Sequence, residues 1–176
     1  MTIKNFLKLQ FVALLFAAII SPLSSLADTN SKPATIKFIL GTKEVLDYQK
    51  TSCPPYYLGS TITGIGTGTI TENRKSTRLG VLSFKADDCI TPMENYFTST
   101  GSWTLTARNG NSIMGNYSVS FVPTDNPQIY MYENFILQIT GGTGLFTGAT
   151  GSGVVEGASN IQTGLGVIEG TMYISK

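Results

Sequence analysis

The sequence predicts an all-β domain, on three observations. Apolar side chains recur at every second position through most of residues 28–176, Gly, Asn, Thr and Ser punctuate those runs, and no window carries a sustained helical stripe. Strands are expected over Ala34 to Leu40, Leu58 to Thr71, Leu79 to Ala86, Ser102 to Arg108, Ser112 to Phe121, Gln128 to Thr140, Thr150 to Glu156 and Gly166 to Ser175. Eight strands with short connections suit a sandwich or a barrel. The glycine pattern and the turn signature below favour the closed antiparallel barrel.

Ahead of the first strand, Lys4 and Lys8 precede an apolar run from Phe11 to Ile20, followed by Ser21-Pro22 and Ser25-Leu26-Ala27. That order of parts is a secretory signal peptide, with cleavage expected after Ala27 because small residues stand at 25 and 27. The alternative is an uncleaved anchor, but the apolar run is shorter than the roughly 20 residues a spanning helix needs. Residues 1–27 are therefore expected to be removed, and residues 28–176 to form a single barrel domain, secreted or periplasmic, with no membrane span after cleavage.

Without Lys4 and Lys8 the twelve Lys and Arg become ten, scattered among eleven Asp and Glu. Nucleic acid and anionic membranes are bound through clustered cations, so neither is an expected partner. The one basic cluster, Arg74-Lys75-Ser76-Thr77-Arg78, lies between two strand patterns and reads as a solvated turn. Cys53 and Cys89 are the only cysteines, and an oxidising compartment makes a disulfide between them the expectation, with two buried thiols as the alternative. The chain has no histidine, which leaves zinc short of its preferred ligands, and neither a metal site nor a cofactor is expected.

Gly64, Gly66 and Gly68 share one face of the second strand. Glycine weakens a strand unless it permits a bend or a close approach, so the run reads as curvature at a barrel corner, or else as a plain Gly/Thr edge strand. The hairpin around Asn109-Gly110 can be set by parity. A two-residue loop would scramble the faces. A three-residue loop, Arg108-Asn109-Gly110 with Gly110 left-handed, places Leu105 opposite Ile113 and Trp103 opposite Gly115. The strand over 128–140 is apolar on both sides, with Ile129, Met131, Phe135, Leu137 and Ile139 on one face and Tyr130, Tyr132 and Ile136 on the other. Its outer face then needs cover from a second copy, a loop or the N-terminal segment.

The strongest local signature runs from Tyr132-Glu133 through Phe135-Ile136-Leu137 to Gly141-Gly142-Thr143-Gly144-Leu145-Phe146-Thr147-Gly148-Ala149-Thr150-Gly151. In it, Gly141, Gly142 and Gly144 let the chain reverse, while Phe146 and Ala149 plug the barrel end before the next strand leaves at Gly151. This stretch resembles the strand and turn of the allene oxide cyclase barrels and the dirigent proteins. Exported bacterial members of that superfamily look similar over a longer stretch. The resemblance implies a lipocalin-like eight-stranded barrel, often assembled as a trimer. It also brings a cyclase activity into view, although dirigents carry an arginine where this chain has Thr150.

The lack of histidine removes Ser-His and Cys-His nucleophile pairs. What remains is carboxylate chemistry, and the candidate catalytic residue is Glu133, which shares a sequence face with Met131, Phe135 and Leu137. Inside a barrel its pKa would be raised by desolvation. At a rim, or turned out by a bulge, it would be structural. Asp87 and Asp88 read as turn residues before Cys89. Three functions follow: a binding module for a small apolar ligand lined by Trp103, Tyr117, Phe135 and Leu137; an isomerase or cyclase using one carboxylate; or a filled barrel with a structural or envelope role.

Overall fold

The structure, a computed structural model, describes residues 33–54 and 57–176. The expected signal peptide, residues 1–27, lies outside the described residues. Eight strands follow one another in chain order: β1 (Ala34–Asp47), β2 (Leu58–Glu72), β3 (Lys75–Pro92), β4 (Phe97–Ala107), β5 (Ser112–Pro123), β6 (Ile129–Gly142), β7 (Thr150–Asn160) and β8 (Leu165–Ser175). Each pairs antiparallel with the next, and β8 pairs back to β1, so the sheet is a closed barrel with no free edge. Among the described residues no helix is long and apolar enough to cross a membrane.

Alternation fills the lumen. Ile36, Phe38 and Leu40 of β1, Leu82, Phe84 and Ala86 of β3, Trp103 and Leu105 of β4, and Met172 and Ile174 of β8 are all buried within it. Eight strands leave an interior that side chains nearly fill, so the large residues need small neighbours. Phe38 stands between Gly68 and Gly170 in register, and Trp103 lies opposite Gly115. A methyl group on Gly66 would overlap the carbonyl oxygen of Ile39 on the neighbouring strand. That close approach identifies the glycine face of β2 as a curved wall of the barrel.

The β4–β5 hairpin has the three-residue loop that parity requires, with Leu105 opposite Ile113 and Gly110 at φ 84°. The basic cluster begins in a two-residue turn, Asn73-Arg74, both left-handed, as a hairpin of primed type needs. One end of the barrel is closed. There a short 3-10 turn, Gly144–Phe146, tucks Phe146 and Ala149 into the core, and the Lys176 ammonium lies 5.4 Å from the Phe146 ring centre.

β6 departs from its expected pattern. Asn134 takes φ 52°, and the register with β7 slips between Met131 and Phe135. The bulge reverses the faces of the strand's first half, so Tyr132 packs against the core while Met131 is 46% exposed. Part of the two-sided apolar character is thereby explained: the tyrosines and the phenylalanine line the lumen in succession, and Ile129, Met131 and Ile136 are left outside.

Cys53 and Cys89 form a disulfide that ties the β1–β2 loop to β3. Reduced, or as Cys53→Ser with Cys89→Ser, the protein is expected to lose roughly 4 kcal/mol, the chain-entropy value for a loop of this length. Urea unfolding monitored by Trp103 fluorescence checks this, and an unchanged midpoint would show that the loop contributes nothing.

Candidate functional site

The barrel is polar only toward its open end, where β1, β3, β5 and β7 finish and β2, β4, β6 and β8 begin. The strands run further here than the apolar alternation suggests, and their extensions carry the polar groups. Counting by twos along β3 from Leu82 through Phe84 and Ala86 brings Asp88 into the lumen, where it is only 2% exposed. It is a strand residue rather than part of a turn. A buried carboxylate needs donors, and three hydroxyls supply them. Ser60 Oγ donates to Oδ1 at 2.5 Å, while Tyr117 Oη at 2.6 Å and Ser99 Oγ both donate to Oδ2. Four strands, β2 to β5, thus converge on one carboxylate.

Asp88 is also held from outside. Lys50, in the β1–β2 loop, donates to the carbonyls of Ser60 at 2.8 Å and of Asp88 at 3.1 Å, and pairs with the outward-facing Asp87 at 3.2 Å. Burial works against the Asp87 charge, but the bonds from Lys50 and from Thr61 outweigh it and hold that carboxyl below its ordinary value. With the disulfide next door at Cys89, this corner of the sheet is clamped on its solvent side, which keeps Asp87 out and Asp88 in.

On β1, two residues beyond Thr42, Glu44 faces the same space. Its pKa is raised, first by burial and then by the negative charge of Asp88, with the Ser60 hydroxyl opposing. Its Oε1 is buried and makes no hydrogen bond within the protein, and the Oγ of Ser159 on β7, itself 4% exposed, is in the same position. Burial pushes the Tyr132 hydroxyl up to about 12 and carries that of Tyr117 higher still. An aromatic collar surrounds these groups: Tyr117 and Phe135 have ring centres 5.5 Å apart, Tyr132 and Phe135 5.7 Å, and Phe121 and Tyr132 5.2 Å.

Two spaces adjoin Glu44. The inner one, among Thr42, Ile62, Phe84, Tyr117, Tyr132 and Phe135, has a volume of about 30 Å³, too small for any ligand bigger than water. The outer one is the barrel mouth, about 490 Å³, walled by Val45, Leu46, Leu58, Ile90, Phe97 and Phe121 and capped by the β7–β8 turn from Ile161 to Gly164.

Of the residues singled out from the sequence, Tyr117 and Phe135 line the inner space, whereas Trp103 and Leu137 lie in the filled part of the lumen. The Trp103 indole N–H is already committed to the Asn116 carbonyl at 2.9 Å. Glu133 does not share the lumen with Phe135 and Leu137. It sits in the β6 bulge, exposed, because the extra residue there turns it out. Among the described residues the carboxylates in the lumen are instead Glu44, which sequence reading passed over, and Asp88, which it took for a turn residue. The available signal was parity: Glu44 is in phase with Ile36, Phe38 and Leu40, and Asp88 with Leu82, Phe84 and Ala86.

Because the Glu44 pKa is higher folded than unfolded, the folded state holds this proton more tightly. Its contribution is therefore most favourable below the ordinary value of 4.5 and is lost as the pH rises through the folded pKa. Glu44→Gln is expected to remove that loss, so the variant gains stability over the parent above this window and the difference closes toward acid. Urea midpoints taken from about pH 4 to about pH 8 test it, and parallel curves would mean that Glu44 is not desolvated.

No protein-family model matches the sequence, and no curated protein does. Among solved structures, the chain is similar to the pterocarpan synthase dirigent protein GePTS1, with 15% identity over 92% of this chain and 98% of that one, at a TM-score of 0.49.

Proposed function

We propose that this is an exported barrel that binds a small, largely apolar molecule at its open mouth. The observation that carries the reading is the mouth cavity of about 490 Å³, whose walls are apolar and whose floor holds a few convergent polar groups. That combination is the usual make-up of a small-molecule site. Below the floor the lumen is packed, which favours a ligand seated at the rim over one swallowed deep among Trp103 and Leu137. The resemblance of the turn segment to the allene oxide cyclase and dirigent barrels fits a ligand-handling role.

N-Phenyl-1-naphthylamine, an uncharged apolar probe, is expected to bind saturably with enhanced fluorescence. Ile161→Glu, which puts a charge on the mouth, should weaken it on the order of tenfold, and Val167→Lys on the outer wall should not. Absence of saturable binding, or weakening by Val167→Lys instead, would overturn the reading.

A second reading has one specific observation in its favour. Glu44, with its raised pKa, lies in the field of Asp88 beside the Tyr117 hydroxyl. A carboxyl that exchanges a proton in an apolar site suits an isomerase or cyclase, and turnover abolished by Glu44→Gln but kept in Glu133→Gln would favour that enzyme. A filled barrel serving as a structural or envelope component is what remains if neither binding nor turnover is found.

Export is supported by the N-terminal pattern and by the disulfide. Association of copies, a trimer by resemblance, is supported by the exposed Ile39, Ile65, Val81, Met131, Val154 and Val167 on the outer wall. Intact mass of protein recovered from outside the cytoplasm should begin at Asp28, and light scattering should give three times the chain mass. An uncleaved N-terminus and a monomer would remove these two proposals respectively.

A further inference from the structure

At the floor of the mouth the buried Glu44 Oε1 makes no hydrogen bond within the protein. A carboxylate oxygen only accepts, and an unpaired buried acceptor costs about 1–3 kcal/mol unless an occupant supplies a donor. The neighbouring carboxylate cannot help, since Asp88 has no donor to give and its own oxygens are taken by Ser60, Ser99 and Tyr117. The nearby lysines are committed elsewhere. Lys43, on the rim, donates to the Thr163 carbonyl, and Lys50 lies outside the sheet against Asp87 and two carbonyls. Among the described residues nothing cationic reaches Glu44. Around it stand the Phe121 and Tyr132 rings, whose faces favour a positive charge.

We propose that the ligand is an amphiphilic primary amine, its hydrocarbon part against Val45, Leu46, Leu58, Ile90 and Phe97 and its ammonium paired with the Glu44 carboxylate. An ammonium has donors and no acceptor, so it supplies the hydrogen bond the carboxylate lacks and neutralises its charge at once. An alcohol supplies a donor but no charge, so it leaves the carboxylate unneutralised. A carboxylate ligand meets Glu44 and Asp88 as like charges. This inference rests on the binding reading above and names the ligand's polar end.

The test is displacement of N-phenyl-1-naphthylamine by octylammonium, 1-octanol and octanoate, repeated by calorimetry on the parent and on Glu44→Gln. Octylammonium is expected to bind the parent on the order of tenfold tighter than octanol, the value of one charge-assisted hydrogen bond, with octanoate weakest. In Glu44→Gln the ratio of ammonium to octanol affinity should fall to about one. Octanol or octanoate binding the parent as tightly as octylammonium would overturn the proposal, as would a preference that survives Glu44→Gln. If Glu44→Gln does not fold, the order of the three affinities on the parent decides. Probe binding without an ammonium preference sinks this inference alone, whereas no binding by the probe or by any of the three sinks the binding reading with it.

Discussion

Closing eight strands on themselves sends every second side chain into a lumen of fixed width, and much else in this protein follows from how that width is filled. Side chains at one level must share a cross-section, so bulk on one strand requires its absence on the next. Phe38 between Gly68 and Gly170, Trp103 over Gly115 and Tyr117 beside Gly101 are the same solution repeated around the barrel. Closure also removes exposed ladder edges, so apolar residues on the outer wall are available for association through side chains rather than through strand pairing.

The packed lower lumen sets the terms for the open end. A rigid apolar floor and an aromatic collar lower the local polarity, so a carboxylate there must be provided for. Asp88 is provided for twice, by three hydroxyls inside and by the Lys50 and Cys53–Cys89 clamp outside. Removing any one of these leaves the remainder of the network around a buried charge, which is why such groups act as a unit. Glu44 is the contrast: it occupies the same low-polarity space without the protein completing the hydrogen bonds of its Oε1, and it borders the mouth.

Reading the sequence located the strands by their apolar alternation, and so lost them where alternation turned polar. β1 was followed to Leu40 rather than Asp47, β3 to Ala86 rather than Pro92, and β4 was joined at Ser102 rather than Phe97. The segments missed are the ones that hold Glu44, Asp88 and Ser99. A polar residue inside a barrel resembles a loop residue in every local respect, and what distinguishes it is the partner waiting across the lumen. Glu133 shows the converse error: its spacing from Phe135 and Leu137 was right for an inward face, but the left-handed Asn134 adds a residue to the strand and moves it out.

Local chemistry therefore determined the all-β class, the three-residue hairpin at Gly110, the curved glycine face of β2 and the plugging turn around Phe146, because each depends on backbone preference and parity over a few neighbouring residues. Closure in simple chain order, the bulge in β6, the convergence of Ser60, Ser99 and Tyr117 on Asp88, and the division of the lumen into a filled base and an open mouth were decided by the tertiary structure. These depend on which residues far apart in the chain share a level of the barrel. That level is set by the registers of all eight strands together, which no single stretch of sequence contains.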